Sequence, residues 1–227
     1  MRVAQATSPR GEVVLREHEG ALELRVNGVF VMDTAETTTE RALARAALAG
    51  CDHPDRVLLG GLGLGFTAIE VLTDPRVGWV EVVEIEPAVI DWLADGTVPH
   101  GPALLADPRL EVIPGDIAAH LRALPEESTD VVLLDVDNGP GHLVHEQNAG
   151  LYSRPALAEV ARVLRPGGAV VIWSAARAPK LAETMTAVCA EVAESALPVR
   201  LQGREEQYWL YSGRVSGSRG TGSAPAG

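Results

Sequence analysis

From Arg56 onward the chain alternates between two kinds of pattern: a short apolar-rich run, then a longer segment of helical composition. "RVLLG" leads to "FTAIEVLTD", "WVEVVEI" to "PAVIDWLADG", and "LEVIPGD" to "IAAHLRAL". "DVVLLDV" is followed by a loop and "RPALAEVARVL"; "AVVIWSA" comes after the turn "RPGG" and leads to "KLAETMTAVCAEVAES". Strands that are apolar nearly throughout are covered on both faces, and helices between them make the sheet parallel. The pattern predicts an α/β fold with a mostly parallel sheet between helical layers.

The two ends differ from this middle. "EVVLREH" (12–18) and "ALELRVNGVFVMD" (21–33) alternate apolar and polar positions. They predict a small hairpin turning at "EGA", with Asn27-Gly28 as a second turn or a bulge. "TTTERALARAALAG" predicts a helix, because Thr37 and Glu40 have capping-box spacing, the body is Ala-rich and Gly50 supplies a stop. Near the C-terminus "ALPVRLQ" and "EEQYWLYSGRV" read as strands with no helix between them, so the sheet should close with an antiparallel pair. The tail "SGSRGTGSAPAG" is of low complexity and predicts disorder. The expected organisation is a small β element over 1–35, an α/β domain over 36–214 and a disordered tail over 215–227.

Composition excludes some partners. With 227 residues, 46% of them hydrophobic, the chain can bury one substantial core. Its net charge is −12, and its 19 Lys and Arg are scattered, whereas nucleic acid and anionic membranes call for a cationic face. An acidic field suits solubility, a cationic donor or an amine. No apolar run approaches the roughly 18 residues that span a bilayer, and the N-terminus has no secretory h-region. Cys51 and Cys189 lie far apart without metal-ligand spacing. These features predict a cytoplasmic protein without a metal.

Candidate chemistry gathers at the strand ends. Gly61, Gly63 and Gly65 lie between the first central strand and its helix, where glycine lets backbone approach a ligand. "GLGFTA" also satisfies the nicotinamide fingerprint G-x-G-x-x-A, so the loop alone does not choose between nucleotides. Glu84 ends the next strand, about 20 residues on, where a carboxylate accepts ribose hydroxyls. Asp116, with Ile117 beside it, ends the third strand; it suits either an adenine amino group or the N-cap of "IAAHLRAL". With the antiparallel ending, this order resembles the Rossmann-like class I S-adenosylmethionine-dependent transferase fold, a mostly parallel seven-stranded sheet with an antiparallel last strand.

The stretch "VVLLDVDNGPGH" delivers Asp135 and Asp137 to the end of the fourth strand, beside a Gly-Pro turn. Together with "RVLLGGLGLG", "VEVVEIEP", "DPRLEVIPGD" and "VARVLRPGG", it resembles spermidine synthase and its polyamine-synthase relatives over roughly Asn27 to Gly213. The resemblance implies that Asp135 binds or deprotonates an attacking amine, with Asp137 as a possible stand-in for the family's second loop aspartate. That second aspartate falls at Asn138, the donor-binding aspartate of the glycine loop falls at Leu64, and the family's Tyr-His pair is absent from "AETTTERALA". These departures leave fewer anchors for decarboxylated S-adenosylmethionine. They point to S-adenosylmethionine itself as donor and to methyl transfer, with aminopropyl transfer as the alternative.

In the loop beyond, Asn138, His142 and Tyr152 are candidates for contact with a small-molecule acceptor, although His142 and His145 also suit a solvent-facing loop. The family's habit of association implies a possible homodimer through strands 12–33. Two other classes stay open: a nicotinamide oxidoreductase, supported by "GLGFTA", and a non-catalytic nucleoside-binding protein, supported by the three departures.

Overall fold

The fold was analysed in a computed structural model that describes residues 1–136, 139, 146–201 and 203–217. Four N-terminal strands, β1 (Arg2–Ser8), β2 (Gly11–His18), β3 (Ala21–Val26) and β4 (Val29–Asp33), form an antiparallel sheet in sequence order. The expected hairpin is therefore a four-stranded meander. Its first strand escaped notice because its inward positions are only the small Ala4 and Ala6, while Val3 is exposed. Two of its three tight turns fall at Glu19-Gly20 and Asn27-Gly28, where both residues of each pair have positive φ, the backbone of the two-residue turns that match strand twist.

Helix α1 (Thr38–Ala49) then leads into the main sheet. Gly50 caps its end, but Thr37 makes no side-chain cap bond, so the capping box is not formed. The following elements are β5 (Arg56–Gly60), α2 (Phe66–Leu72), β6 (Trp79–Glu84), α3 (Pro87–Ala94), α4 (Gly101–Leu105), β7 (Leu110–Pro114), α5 (Ile117–Ala123) and β8 (Thr129–Leu134). A 3-10 turn over Glu146–Tyr152 precedes α6 (Arg154–Val163), β9 (Leu164–Ser174), α7 (Pro179–Thr186), β10 (Glu191–Leu201) and β11 (Arg204–Arg214).

The seven strands run in the order β10-β11-β9-β8-β5-β6-β7. Neighbours from β9 to β7 are parallel, and β11 is antiparallel to both β9 and β10. The last strand is thus the one reversed strand, as the sequence resemblance implied. The helix expected over "KLAETMTAVCAEVAES" stops at Thr186, and its last five residues, from Glu191, open strand β10. There the ladder to β11, from Glu191↔Arg214 to Leu201↔Arg204, outweighs local helix propensity.

Period-two alternation sorts the core onto the two sheet faces. Val57, Leu59, Val131, Leu133, Val171 and Trp173 face the layer of α1 to α4 and the N-terminal sheet. Leu58, Val132, Leu134, Val170 and Ile172 face α5, α6 and α7. No helix among the described residues is long and apolar enough to cross a membrane.

Candidate active site

The carboxyl ends of β5, β6, β7 and β8 meet along one edge, and the strand order turns at β5. Ligands in open α/β sheets bind in the crevice at such a switch point. Here it holds a cleft of about 420 Å³, lined by the strand ends, the N-terminal sheet and the starts of α1, α2 and α5. That volume lies in the range of about 300–1,000 Å³ usual for small-molecule sites.

On one side of the cleft, Glu84 is buried at the end of β6 and accepts backbone N–H groups from Leu62 and Glu86, both at 2.8 Å. Burial pushes its carboxyl up, while backbone hydrogen bonds from Glu86, Leu62 and Gly63 oppose that shift. Each carboxylate oxygen has two lone pairs, so Glu84 retains acceptor capacity for a ribose. Asp116 accepts the Ala118 N–H at 2.7 Å through Oδ1. It is therefore the N-cap of α5 and also lines the cleft. Ile117, Val83 and Ile85 add apolar walls suited to a flat base.

The glycines divide. Gly61 and Gly63 line the cleft, but Gly65 does not. All three have positive φ, at +93°, +50° and +89°. A Cβ on Gly61 would lie 2.1 Å from the Asp135 carbonyl oxygen, and one on Gly65 would lie 2.5 Å from Leu104 Cδ2. Gly65 is set back from the cleft: its positive φ turns the chain into α2, of which it is the N-cap, and it packs towards Leu104 of α4. Leu64 is also turned inward, 1% exposed, with its N–H directed at Met32 Sδ and its carbonyl 2.6 Å from His100 Nε2. The loop presents no acidic side chain to the cleft, and the Leu64 side chain does not face it either.

On the other side stands Asp135, directly after β8. Its Oδ2 accepts the Thr67 hydroxyl at 3.1 Å. Burial pushes the carboxyl up to about 6, against the hydrogen bond from Thr67, with repulsion from Glu84 adding a smaller push. Glu40, from the first turn of α1, lines the same cleft. Burial, then the negative charge of Asp135, pushes Glu40 up to about 7. Sequence reasoning assigned Glu40 to a capping box and missed it as a cleft residue, because nothing in the local sequence marks which way the first turn of α1 faces. Arg10, Met32, Phe66, Thr67, Arg122 and Trp173 are further lining residues that the sequence did not disclose.

Tyr152 was expected at the acceptor, but it is buried in the cluster with Leu157 and Val160 and does not line the cleft. Apolar packing against α6 outweighs exposure of its ring to the cleft. Asp137, Asn138 and His142 lie outside the described residues, as does the tail from residue 218. Among the described residues, no group of three or more His, Cys, Asp or Glu could hold a metal ion.

The sheet order, the reversed last strand and the cleft at the switch point define a Rossmann-like fold of the class I methyltransferase kind. Residues 36–199 match the spermine/spermidine synthase domain. This chain belongs to that family. It is 32% identical over 154 residues to putrescine N-methyltransferase 2 of Nicotiana tabacum, covering 67% of this chain and 39% of that protein. It is 31% identical over 149 residues to spermidine synthase 1 of Pisum sativum, covering 63% of this chain and 43% of that protein. The matched stretch thus spans less than half the length of these relatives. Among solved structures, a spermidine synthase in complex with the transition-state analogue AdoDATO superposes with a TM-score of 0.79 at 16% identity, over 96% of this chain and 74% of that one. The spermidine synthase of Thermotoga maritima gives a TM-score of 0.77 at 15% identity, over 96% and 73%.

Proposed function

We propose that this protein transfers a methyl group from S-adenosylmethionine to a small amine. The carrying observation is the placement of Glu84 and Asp116 at one side of a single cleft and half-buried Asp135 at the other. Glu84 and Asp116 would hold ribose and adenine, while Asp135 faces the acceptor. When bound, the donor supplies an electrophilic carbon on a sulfonium sulfur.

The remaining chemistry falls to this chain. An amine is mostly protonated at neutral pH and cannot attack carbon in that state. Asp135, held by Thr67, can bind the ammonium and take its proton, because burial has brought its carboxyl towards the working pH. Holding the nitrogen in line with the electrophilic carbon supplies much of the remaining rate. The choice of methyl transfer is supported by the name of the tobacco relative and by a glycine loop that offers no carboxylate to a propylammonium group. The second reading, aminopropyl transfer from decarboxylated S-adenosylmethionine, is favoured by the pea relative.

Calorimetry with S-adenosylmethionine, its decarboxylated form and NAD tests the donor class, and Asp135→Asn tests the acceptor side. The variant should bind donor as the wild type does and turn over far more slowly. Tighter binding of NAD than of either S-adenosyl compound would overturn the reading.

A further inference from the structure

We infer that Glu40 of α1 is a second acceptor-side carboxylate, which with Asp135 holds the attacking amine and receives its proton. The inference rests on the amine-transfer reading above and deepens it.

Three observations lead to Glu40. Helix α1 packs against α2, β8 and β9, which brings its first turn over the end of β8, and both carboxylates line the cleft there. Glu40 forms no reciprocal capping box: Thr37 makes no side-chain cap bond, and the side-chain partner of Glu40 is the Thr39 hydroxyl, at 2.9 Å. The nearest cation on the helix, Arg41, is committed to Glu70 at 2.8 Å, with its guanidinium 5.7 Å from the Phe66 ring centroid. Among the described residues, neither Glu40 nor Asp135 forms an ion pair.

Glu40 and Asp135 are half-buried in one cleft that Arg10 and Arg122 also line, yet neither carboxylate forms an ion pair among the described residues, so charging both is costly. The groups around Glu40 deepen that cost. Glu36 just before α1 and Asp135 after β8 are acidic, and Tyr208 on β11 interacts electrostatically with Glu40 rather than neutralising it. An ammonium between Glu40 and Asp135 removes the deficit. The raised carboxyls mean that the pair retains protons near neutral pH, so an entering cation displaces them.

In the transfer step, R–NH3⁺ gives a proton to one carboxylate. The neutral nitrogen then forms the N–C bond with its lone pair as the C–S bond breaks. That bond's electron pair stays on sulfur, the sulfonium becomes a thioether, and the product carries the positive charge as R–NH2⁺–CH3. The carboxylic acid returns its proton to water when product leaves.

The test is calorimetric titration of putrescine into the full chain loaded with S-adenosylhomocysteine, at pH 6.5 in buffers of different ionisation enthalpy. n-Butanol serves as the uncharged control. Wild type should bind putrescine with proton release and should not bind butanol. Glu40→Gln should keep its affinity for S-adenosylhomocysteine, bind putrescine at least about tenfold more weakly, as loss of a charged hydrogen bond requires, and release fewer protons. Glu40→Asp should restore part of the affinity and the proton release, which a purely structural role would not produce. Putrescine binding and proton release unchanged in Glu40→Gln overturn the role of Glu40 alone. If Glu40→Gln fails to fold, Glu40→Asp decides, and an unshifted putrescine affinity and proton release in that shorter variant overturn the role too. A loaded wild type that binds no amine overturns both Glu40 and the amine acceptor while leaving donor binding intact.

Discussion

The Thr67 hydroxyl donates to Asp135 Oδ2 at 3.1 Å, tying the first turn of α2 to the end of β8. The bond stabilises the carboxylate against a burial that pushes it up to about 6. Thr67→Val should therefore raise the Asp135 carboxyl further. Since the ionised form takes the proton, the acidic limb of the kcat/KM profile should move to higher pH, by about one unit. A pH–rate series at saturating donor checks this, and an unmoved limb would show that Asp135 is not the titrating base.

Glu84 does two jobs at once: it lines the cleft and accepts the Leu62 and Glu86 N–H groups that shape the glycine loop. Glu84→Ala should lower donor affinity by about 1.5–3 kcal/mol, through lost charge-assisted hydrogen bonds. It should also lower the melting temperature of the ligand-free protein, because two buried N–H groups lose their acceptor. Calorimetry with S-adenosylhomocysteine and a melting curve read the two effects separately; unchanged affinity would remove Glu84 from the donor site.

Glu40 links pH to stability. Its carboxyl is raised from 4.5 to about 7 in the folded chain, so between those values the folded state holds a proton that the unfolded state has lost. Stability is therefore greater below that window and falls as pH rises through it, with a slope of about 1.4 kcal/mol per pH unit from this one group. Asp135 adds the same sign between 3.8 and about 6. Urea unfolding of amine-free protein from pH 5 to 8 should show the decline for wild type and a flatter profile for Glu40→Gln. Parallel profiles would contradict the raised carboxyl of Glu40.

Leu64 occupies the position of the family's donor-binding aspartate, yet its side chain is 1% exposed in the core. Leu64→Asp should place a carboxylate in an apolar environment and destabilise the fold by more than about 3 kcal/mol. The melting temperature should then fall by about 6–12 °C, without any gain for decarboxylated S-adenosylmethionine. A stable variant that prefers the decarboxylated donor would show that the loop can turn this side chain outward.

The main sheet was legible because its strands are apolar on both faces, and the positions of Asp135, Glu84 and Asp116 followed from where those runs end. Three features were not. Strand β1 carries too little apolar signal in Ala4 and Ala6, and β10 hides inside a helix-forming composition that only pairing with β11 overrides. Glu40 has the spacing of a capping residue, and local sequence cannot say that α1 packs with this side chain over the end of β8. Gly65 and Tyr152 illustrate the converse. Residue type suggested ligand contact, whereas Gly65 supplies the left-handed turn into α2 and Tyr152 packs in the cluster with Leu157.

The central claim is transfer of a methyl group to an amine. Its most direct test is mass analysis of products after incubating the full chain with putrescine and either S-adenosylmethionine or its decarboxylated form. The account predicts a methylated diamine and S-adenosylhomocysteine from the first donor, lost in Asp135→Asn, and little product from the second. Spermidine and methylthioadenosine formed from the decarboxylated donor, with S-adenosylmethionine inert, would contradict it.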